Sequence, residues 1–272
     1  MYQTAISPCP NDTFIFYAML HNKVDCEGLQ FDPVFADVEM LNNEAAGGRY
    51  DITKLSFHAW LLLRDKYLLL DSGAALGKGC GPLLIAKKYM TNDELSKQLV
   101  AIPGEHTTAH LLLKIFYPEI KNKSHLLFSE IEKAILNNDV GAGVIIHENR
   151  FTYAAKGLLK IADLGECWEN ETNSPIPLGG IFTAKEKGEE FNASINRIVH
   201  RSILYACENV KETMDFVRLM AQEMNDDVIQ QHIDLYVNDF TLSLGAEGNK
   251  AIDLLTKKIN SLLHSSQSVN SI

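Results

Sequence analysis

Apolar and polar positions along this chain follow two rhythms. Short apolar runs read as buried strands over residues 2–6, 29–35, 68–72, 83–86, 99–102, 125–128, 142–146 and 180–184. Between them, apolar positions recur at helical spacing over residues 13–20, 38–46, 57–66, 107–116, 129–137, 191–209, 211–224, 226–235 and 246–263. This alternation predicts an α/β fold with mainly parallel strands. The last four helical stretches follow one another without a strand, so the C-terminal third is expected to be mostly helical. No repeat of solenoid period and no low-complexity linker interrupts the pattern.

Two segments break the rhythm. Residues 85–99 lead from an apolar run into Lys87, Lys88, Thr91, Asn92 and Asp93. Residues 173–182 carry Pro175 and Pro177, which force extended backbone before Gly179 and Gly180. Both are expected hinges. Two crossings predict two lobes: a larger discontinuous domain of residues 1–90 and 182–272, and a smaller inserted domain of residues 91–181.

Candidate chemistry gathers at strand-to-helix turns. In Ser7-Pro8-Cys9-Pro10-Asn11-Asp12-Thr13-Phe14, the prolines argue against helix through residues 8–10, and Asn11, Asp12 and Thr13 are N-cap candidates. Such a turn aims free backbone N–H groups at a ligand above the strand. The design recurs at Gly104-Glu105-His106-Thr107-Thr108-Ala109, where small residues leave the N–H groups of Thr108 and Ala109 accessible. Two such mouths facing each other would form a cleft for a small anion. Lys54 and Ser56, at a third turn, offer a point charge and a hydroxyl donor to a carboxylate. His147 ends the apolar run before Glu148 and Asn149. Ligands of open α/β sheets sit at the carboxyl ends of strands, and a near-neutral imidazole suits proton transfer. His147 is therefore the candidate general base, against the ordinary alternative of a strand-end histidine bonded to a carbonyl.

Other features exclude functions. His58 lies on an apolar helix face and reads as packing. Gly77-Lys78-Gly79-Cys80-Gly81-Pro82 lacks P-loop spacing; its glycines fit a close approach to a ligand or a plain turn equally, and no neighbour lowers the Cys80 pKa. His106 and His110 are one helical turn apart, but H-E-x-x-H and a third ligand are missing, so no metal or other cofactor is expected. The chain has 272 residues, is 46% hydrophobic and carries a net charge of −10 without a basic stripe, so nucleic acid is not an expected partner. No apolar run approaches the ~20 residues that span a bilayer, so a membrane is not expected either. Five irregularly spaced cysteines and no signal-peptide pattern suit a cytoplasmic protein with reduced thiols. A homodimer is compatible with this reading.

The motifs together resemble a known family. Residues 7–14, Asp-Ile-Thr-Lys-Leu-Ser at 51–56, Gly-Cys-Gly-Pro-Leu at 79–83 and Ile-Pro-Gly with Thr-Thr-Ala at 102–109 occur in order. Gly-Val-Ile-Ile-His-Glu at 143–148, Pro-Ile-Pro-Leu-Gly-Gly at 175–180 and Tyr-Val-Asn at 236–238 follow. In these the chain resembles, over nearly its whole length, the 1,4-dihydroxy-6-naphthoate synthases of the futalosine route to menaquinone, a family shared with chorismate dehydratase. The resemblance implies a two-lobed fold like type II periplasmic binding proteins. It also implies a cofactor-independent lyase that splits cyclic dehypoxanthine futalosine into 1,4-dihydroxy-6-naphthoate and dihydroxyacetone. The histidine matched by His147 would be the base; Lys54, Ser56, Thr107 and Thr108 would hold the carboxylate, with the doubled threonine leaving the register open by one. The alternatives are a chorismate dehydratase-type enzyme, a non-catalytic carboxylate-binding module, and a zinc hydrolase using His106 and His110.

Overall fold

The computed structural model describes residues 1–221 and 225–269. Its strands are β1 (Tyr2–Ile6), β2 (Phe31–Phe35), β3 (Ile52–Ser56), β4 (Tyr67–Leu69), β5 (Ala75–Gly77), β6 (Leu83–Ala86), β7 (Val100–Ile102), β8 (Lys123–His125), β9 (Ala142–Ile145), β10 (Leu159–Asp163) and β11 (Ile176–Ala184). Its α-helices are α1 (Pro10–Leu20), α2 (Val38–Ala46), α3 (Phe57–Leu62), α4 (Asn92–Ser96), α5 (Thr108–Phe116), α6 (Ile131–Asn137), α7 (Asn149–Thr152), α8 (Leu164–Thr172), α9 (Gly188–Glu208), α10 (Val210–Met220), α11 (Asp226–Tyr236), α12 (Asp239–Leu242) and α13 (Gly245–Val269). Residues 222–224, the end of one expected helix, lie outside the described residues.

The strands form two sheets. The first runs β2-β1-β3-β11-β4, with β5 also on β11; the second runs β10-β6-β9-β7-β8. β1 is parallel to β2 and β3, and β7 is parallel to β8 and β9. β11 is antiparallel to β3, β4 and β5, and β6 is antiparallel to β9 and β10. Both sheets are therefore mixed, which corrects the expectation of mainly parallel strands. The reversed strands are those by which the chain changes sheet. β11 begins where β3 ends, with Gly179 opposite Ser56, and β6 begins where β9 ends, with Leu83 opposite Ile145. Each enters its sheet from the carboxyl end of its neighbours and so runs against them. An apolar run records burial, not direction.

Because β6 already pairs in the second sheet, the chain changes sheets over residues 78–82, upstream of the expected crossing at 85–99. The return to the first sheet runs over residues 173–175 and includes Pro175, at the start of the expected 173–182 segment; Pro177 already lies in β11, paired with Leu76. Two glycines fix the outward crossing. A Cβ on Gly81 would stand 2.3 Å from the Gly165 Cα of α8, so the loop passes backbone against backbone. Gly81 thus serves backbone packing within the chain, which is neither the ligand approach nor the plain turn expected of its motif.

The first sheet packs on α1 and α9 through Ile6, Ile15, Phe16, Ile181, Ile198 and Ile203. The second packs on α6 through Ile85, Ala101, Ile131, Ile135 and Ile145. A third cluster joins Leu55, Phe57 and Phe182 of the first sheet's side to Leu84, Val100, Val144 and Trp168 of the second's. Burial of apolar surface, at roughly 25 cal/mol per Å², in this shared cluster holds the two sheets together.

Two helix starts differ from expectation. α1 begins at Pro10, with Cys9 at the N-cap and no side-chain cap bond. Proline is well tolerated in a first turn because the N–H it lacks would have no intrahelical acceptor there. Asn11, Asp12 and Thr13 therefore lie inside the helix rather than capping it. α5 begins at Thr108, and Thr107 is its cap: the Thr107 hydroxyl accepts from the His110 N–H at 3.2 Å.

Candidate functional site

The carboxyl ends of both sheets enclose one cavity, about 670 Å³ with its open mouth. Asn11, Asp12, Lys54, Ser56, Thr107, Thr108, Ala109 and His147 all line it, joined by Ser7, Val38, Cys80, Leu178, Gly179, His232 and Tyr236. Every residue singled out from the sequence as a site residue therefore lies on one wall or another of the same space.

The first sheet contributes a buried polar chain. Lys54 Nζ sits 2.6 Å from Asp12 Oδ1, with side chains 7% and 2% exposed. Asp12 also accepts from the Ser7 hydroxyl at 2.7 Å and from Asn11 Nδ2 at 2.9 Å. Asp12 lies in the first turn of α1, where a carboxylate complements the positive helix end. The mouth of α1 is thus occupied by the chain's own anion, which corrects the picture of two open mouths. The Lys54 ammonium is already engaged, so a ligand carboxylate would share it with Asp12. Ser56 Oγ accepts from Asn42 Nδ2 at 3.2 Å, which turns its own proton away from Asn42.

The second sheet contributes the start of α5. Thr107 donates to Gly104 O at 2.8 Å and Thr108 donates to Leu178 O at 2.7 Å. Both hydroxyl protons are committed within the chain. What α5 offers a ligand is backbone: the N–H groups of Thr108 and Ala109, which have no intrahelical acceptor. This turn is also held by α2. Glu39 of α2 accepts from the His106 N–H at 3.0 Å and lies 3.3 Å from its Nδ1. A Cβ on Gly104 would meet the Glu39 carboxyl at 2.4 Å, so a larger residue would displace that side chain from the turn.

His147 stands past the end of β9 with φ 57°, in the left-handed region. A non-glycine residue there carries backbone strain of about 1–3 kcal/mol, a feature that clusters at working sites. Its Nε2 is buried without a hydrogen-bond partner, and the Phe128 ring meets it edge-on at 5.0 Å. Burial pushes the imidazole below its usual 6.5; the charges of Asp37 and Asp12 oppose that shift and Lys54 adds to it. The ring is therefore neutral near pH 7, the form that accepts a proton.

His232 was absent from the sequence candidates. It comes from α11, fully buried, with Nε2 2.9 Å from Asn11 Oδ1 and its ring stacked on His147 at 6.1 Å and 19°. Its neighbours on the buried face, Ile229, Ile233 and Tyr236, follow helical spacing, so in sequence it looks like one more core position. The available signal was its place one turn before the Tyr-Val-Asn motif.

The remaining candidates are structural. His58 is buried against Thr107 O at 3.2 Å, and His110 faces Glu105 O at 3.0 Å. Burial pushes both imidazoles down to about 4. Burial pushes the Cys80 thiol up to about 12, which keeps it protonated and unreactive. Among the described residues, no group of three or more His, Cys, Asp or Glu is arranged to hold a metal, and no helix is long and apolar enough to cross a membrane.

The buried histidines predict acid lability. Their folded pKa lies below the unfolded value, so between 6.5 and about 4 the unfolded chain binds more protons, and stability falls with pH through that window. His58 and His110 should each cost about 2 kcal/mol by pH 5 and about 3 kcal/mol by pH 4. Urea melts at pH 7 and pH 5 check this. A midpoint that stays constant would contradict it.

The chain has recognisable relatives. A family model described as menaquinone biosynthesis matches residues 2–261. A 1,4-dihydroxy-6-naphthoate synthase of Thermus thermophilus is 43% identical, over 90% of this chain and 89% of that one. One from Streptomyces coelicolor is 39% identical, over 94% and 92%. A crystal structure of a protein from Archaeoglobus fulgidus superposes with a TM-score of 0.90 at 33% identity, covering 96% of this chain and 97% of that one. A Candida albicans protein described as having the generic periplasmic binding protein fold superposes with a TM-score of 0.67 at 12% identity, over 96% and 95%. That last likeness concerns fold alone, and the architecture is periplasmic-binding-protein-like. The chain belongs to the menaquinone biosynthesis family that includes these 1,4-dihydroxy-6-naphthoate synthases.

Proposed function

We propose that the chain is a cytoplasmic, cofactor-independent carbon–carbon lyase that converts cyclic dehypoxanthine futalosine to 1,4-dihydroxy-6-naphthoate and dihydroxyacetone. The observation that carries this reading is the meeting, in one cavity, of a neutral His147 with a helix start able to take a carboxylate. Breaking a carbon–carbon bond beside a carbonyl, with an aromatic product as driving force, needs a base and stabilisation of developing charge. His147 takes the proton whose removal starts the cleavage. The N–H groups of Thr108 and Ala109, the Ser56 hydroxyl and the shared Lys54 ammonium hold the carboxylate that orients the ring. Thr107 shapes this turn as its cap. The apolar walls supplied by Val38, Ile146 and Leu178 keep water from the reacting atoms. The partner in this reading is a small carboxylate substrate alone.

Incubation with cyclic dehypoxanthine futalosine and, separately, with chorismate tests this directly. The reading expects the naphthoate and dihydroxyacetone masses from the first and no change in the second. Dehydration of chorismate without turnover of the first would move the chain to the sister activity.

A further inference from the structure

The Asn11 amide is oriented by its neighbours. Asp12 is paired with Lys54 and also accepts from Ser7, so its carboxylate acts as acceptor. The Asn11 side chain must turn its NH₂ toward Asp12 and its oxygen toward His232. An oxygen at 2.9 Å demands a donor, so His232 carries its proton on Nε2. Its Nδ1 is then a bare lone pair, buried without a hydrogen-bond partner and 4.0 Å from Glu148 Oε2. The ring also meets that of Tyr236 at 4.6 Å, whose hydroxyl donates to Cys80 O.

We propose that His232 is a positioning residue for His147: a neutral imidazole, locked in one tautomer by the Lys54–Asp12–Asn11 chain, whose flat face holds the His147 ring in place and shields it from water. Three facts support this. The two rings are nearly parallel at 6.1 Å, within the range of favourable ring contacts. His147 sits on a strained backbone that needs its surroundings to hold it. Burial and the nearness of His147 and Lys54 keep His232 well below its ordinary basicity, so it adds no charge beside the base. The charged groups acting on His147 are Asp37 at the N-cap of α2, Asp12 on α1 and Lys54 on β3. Glu148 lies beside His232. None of these is altered when His232 is replaced.

The proposal rests on the reading of His147 as the base, so its test has one arm that needs no turnover. NMR of isotope-labelled histidine follows the His147 titration in ligand-free wild type, His232→Phe and His232→Gln. Phenylalanine keeps a ring that excludes water; glutamine keeps a donor for Asn11 but loses the ring. The His147 midpoint should stay below 6.5 in wild type and His232→Phe, and rise toward 6.5 in His232→Gln as water reaches the ring. In turnover, kcat should fall at least about tenfold in His232→Gln with KM changed less than about threefold, and the acid limb of kcat/KM should move with the NMR midpoint. A His147 midpoint identical in all three proteins overturns the proposal, as does a His232→Gln enzyme that keeps wild-type kcat. If His232→Gln does not fold, a large change of the His147 midpoint in the folded His232→Phe protein overturns it instead. Absence of turnover in wild type with the expected NMR pattern would sink the lyase reading and leave the positioning role standing.

Discussion

Replacing His147 with alanine should lower kcat by about 10²–10⁴-fold, or about 3–5 kcal/mol of barrier, with the substrate KM little changed. On the proposed reading the imidazole at the strand end is the base, while the carboxylate would be held by other elements that line the same cavity: the start of α5, Ser56 and Lys54. Removing the ring should therefore cost chemistry and spare binding. His147→Asn should be nearly as slow, since it keeps polarity without basicity. Because burial holds the free-enzyme pKa below 6.5, the wild-type kcat/KM profile should be flat around neutrality and fall on the acid side with a midpoint under 6.5. Steady-state kinetics from pH 4 to 8 checks both points. A folded His147→Ala protein with near wild-type turnover would transfer the role to Glu148.

Asp12→Ala should destabilise the fold by about 3–5 kcal/mol, among the largest losses any single surface-to-core position here can cause. The substitution leaves the Lys54 ammonium buried and uncompensated and takes acceptors from Ser7 and Asn11. The cost is that of an orphaned charge rather than the net worth of the pair. Exchanging both members, Asp12→Ala with Lys54→Met, should therefore recover much of the loss. Urea melts of the two singles and the double check this. An Asp12→Ala loss under about 1 kcal/mol would mean that water or another anion reaches Lys54.

The sequence carried the site more fully than the topology, for a physical reason. Lys54, Ser56, Thr107–Ala109 and His147 stand at strand-to-helix turns, where local signals are strong: caps, prolines, and an apolar run ending on a polar residue. Those same turns lie at the carboxyl ends of strands, which the fold brings together. Strand direction has no local signal, so the antiparallel entry of β6 and β11 was not legible. β5 is three residues long, and β10 is an edge strand with a charged and an acidic position, so neither shows a buried run. The start of α1 was misread because Asn11 and Asp12 are good caps in isolation; here their side chains are spent on Lys54 and His232 instead. His232 was hidden because a histidine among isoleucines at helical spacing looks like core, and it is core on three sides.

A crystal structure with 1,4-dihydroxy-6-naphthoate bound tests the central claim most directly, that one cavity holds a carboxylate on α5 and presents the ring to His147. The expected result is a carboxylate within hydrogen-bond distance of the Thr108 and Ala109 N–H groups and the Ser56 hydroxyl, with the dihydroxy ring against the His147 imidazole. A product whose carboxylate lies away from α5, or whose ring does not face His147, would contradict it.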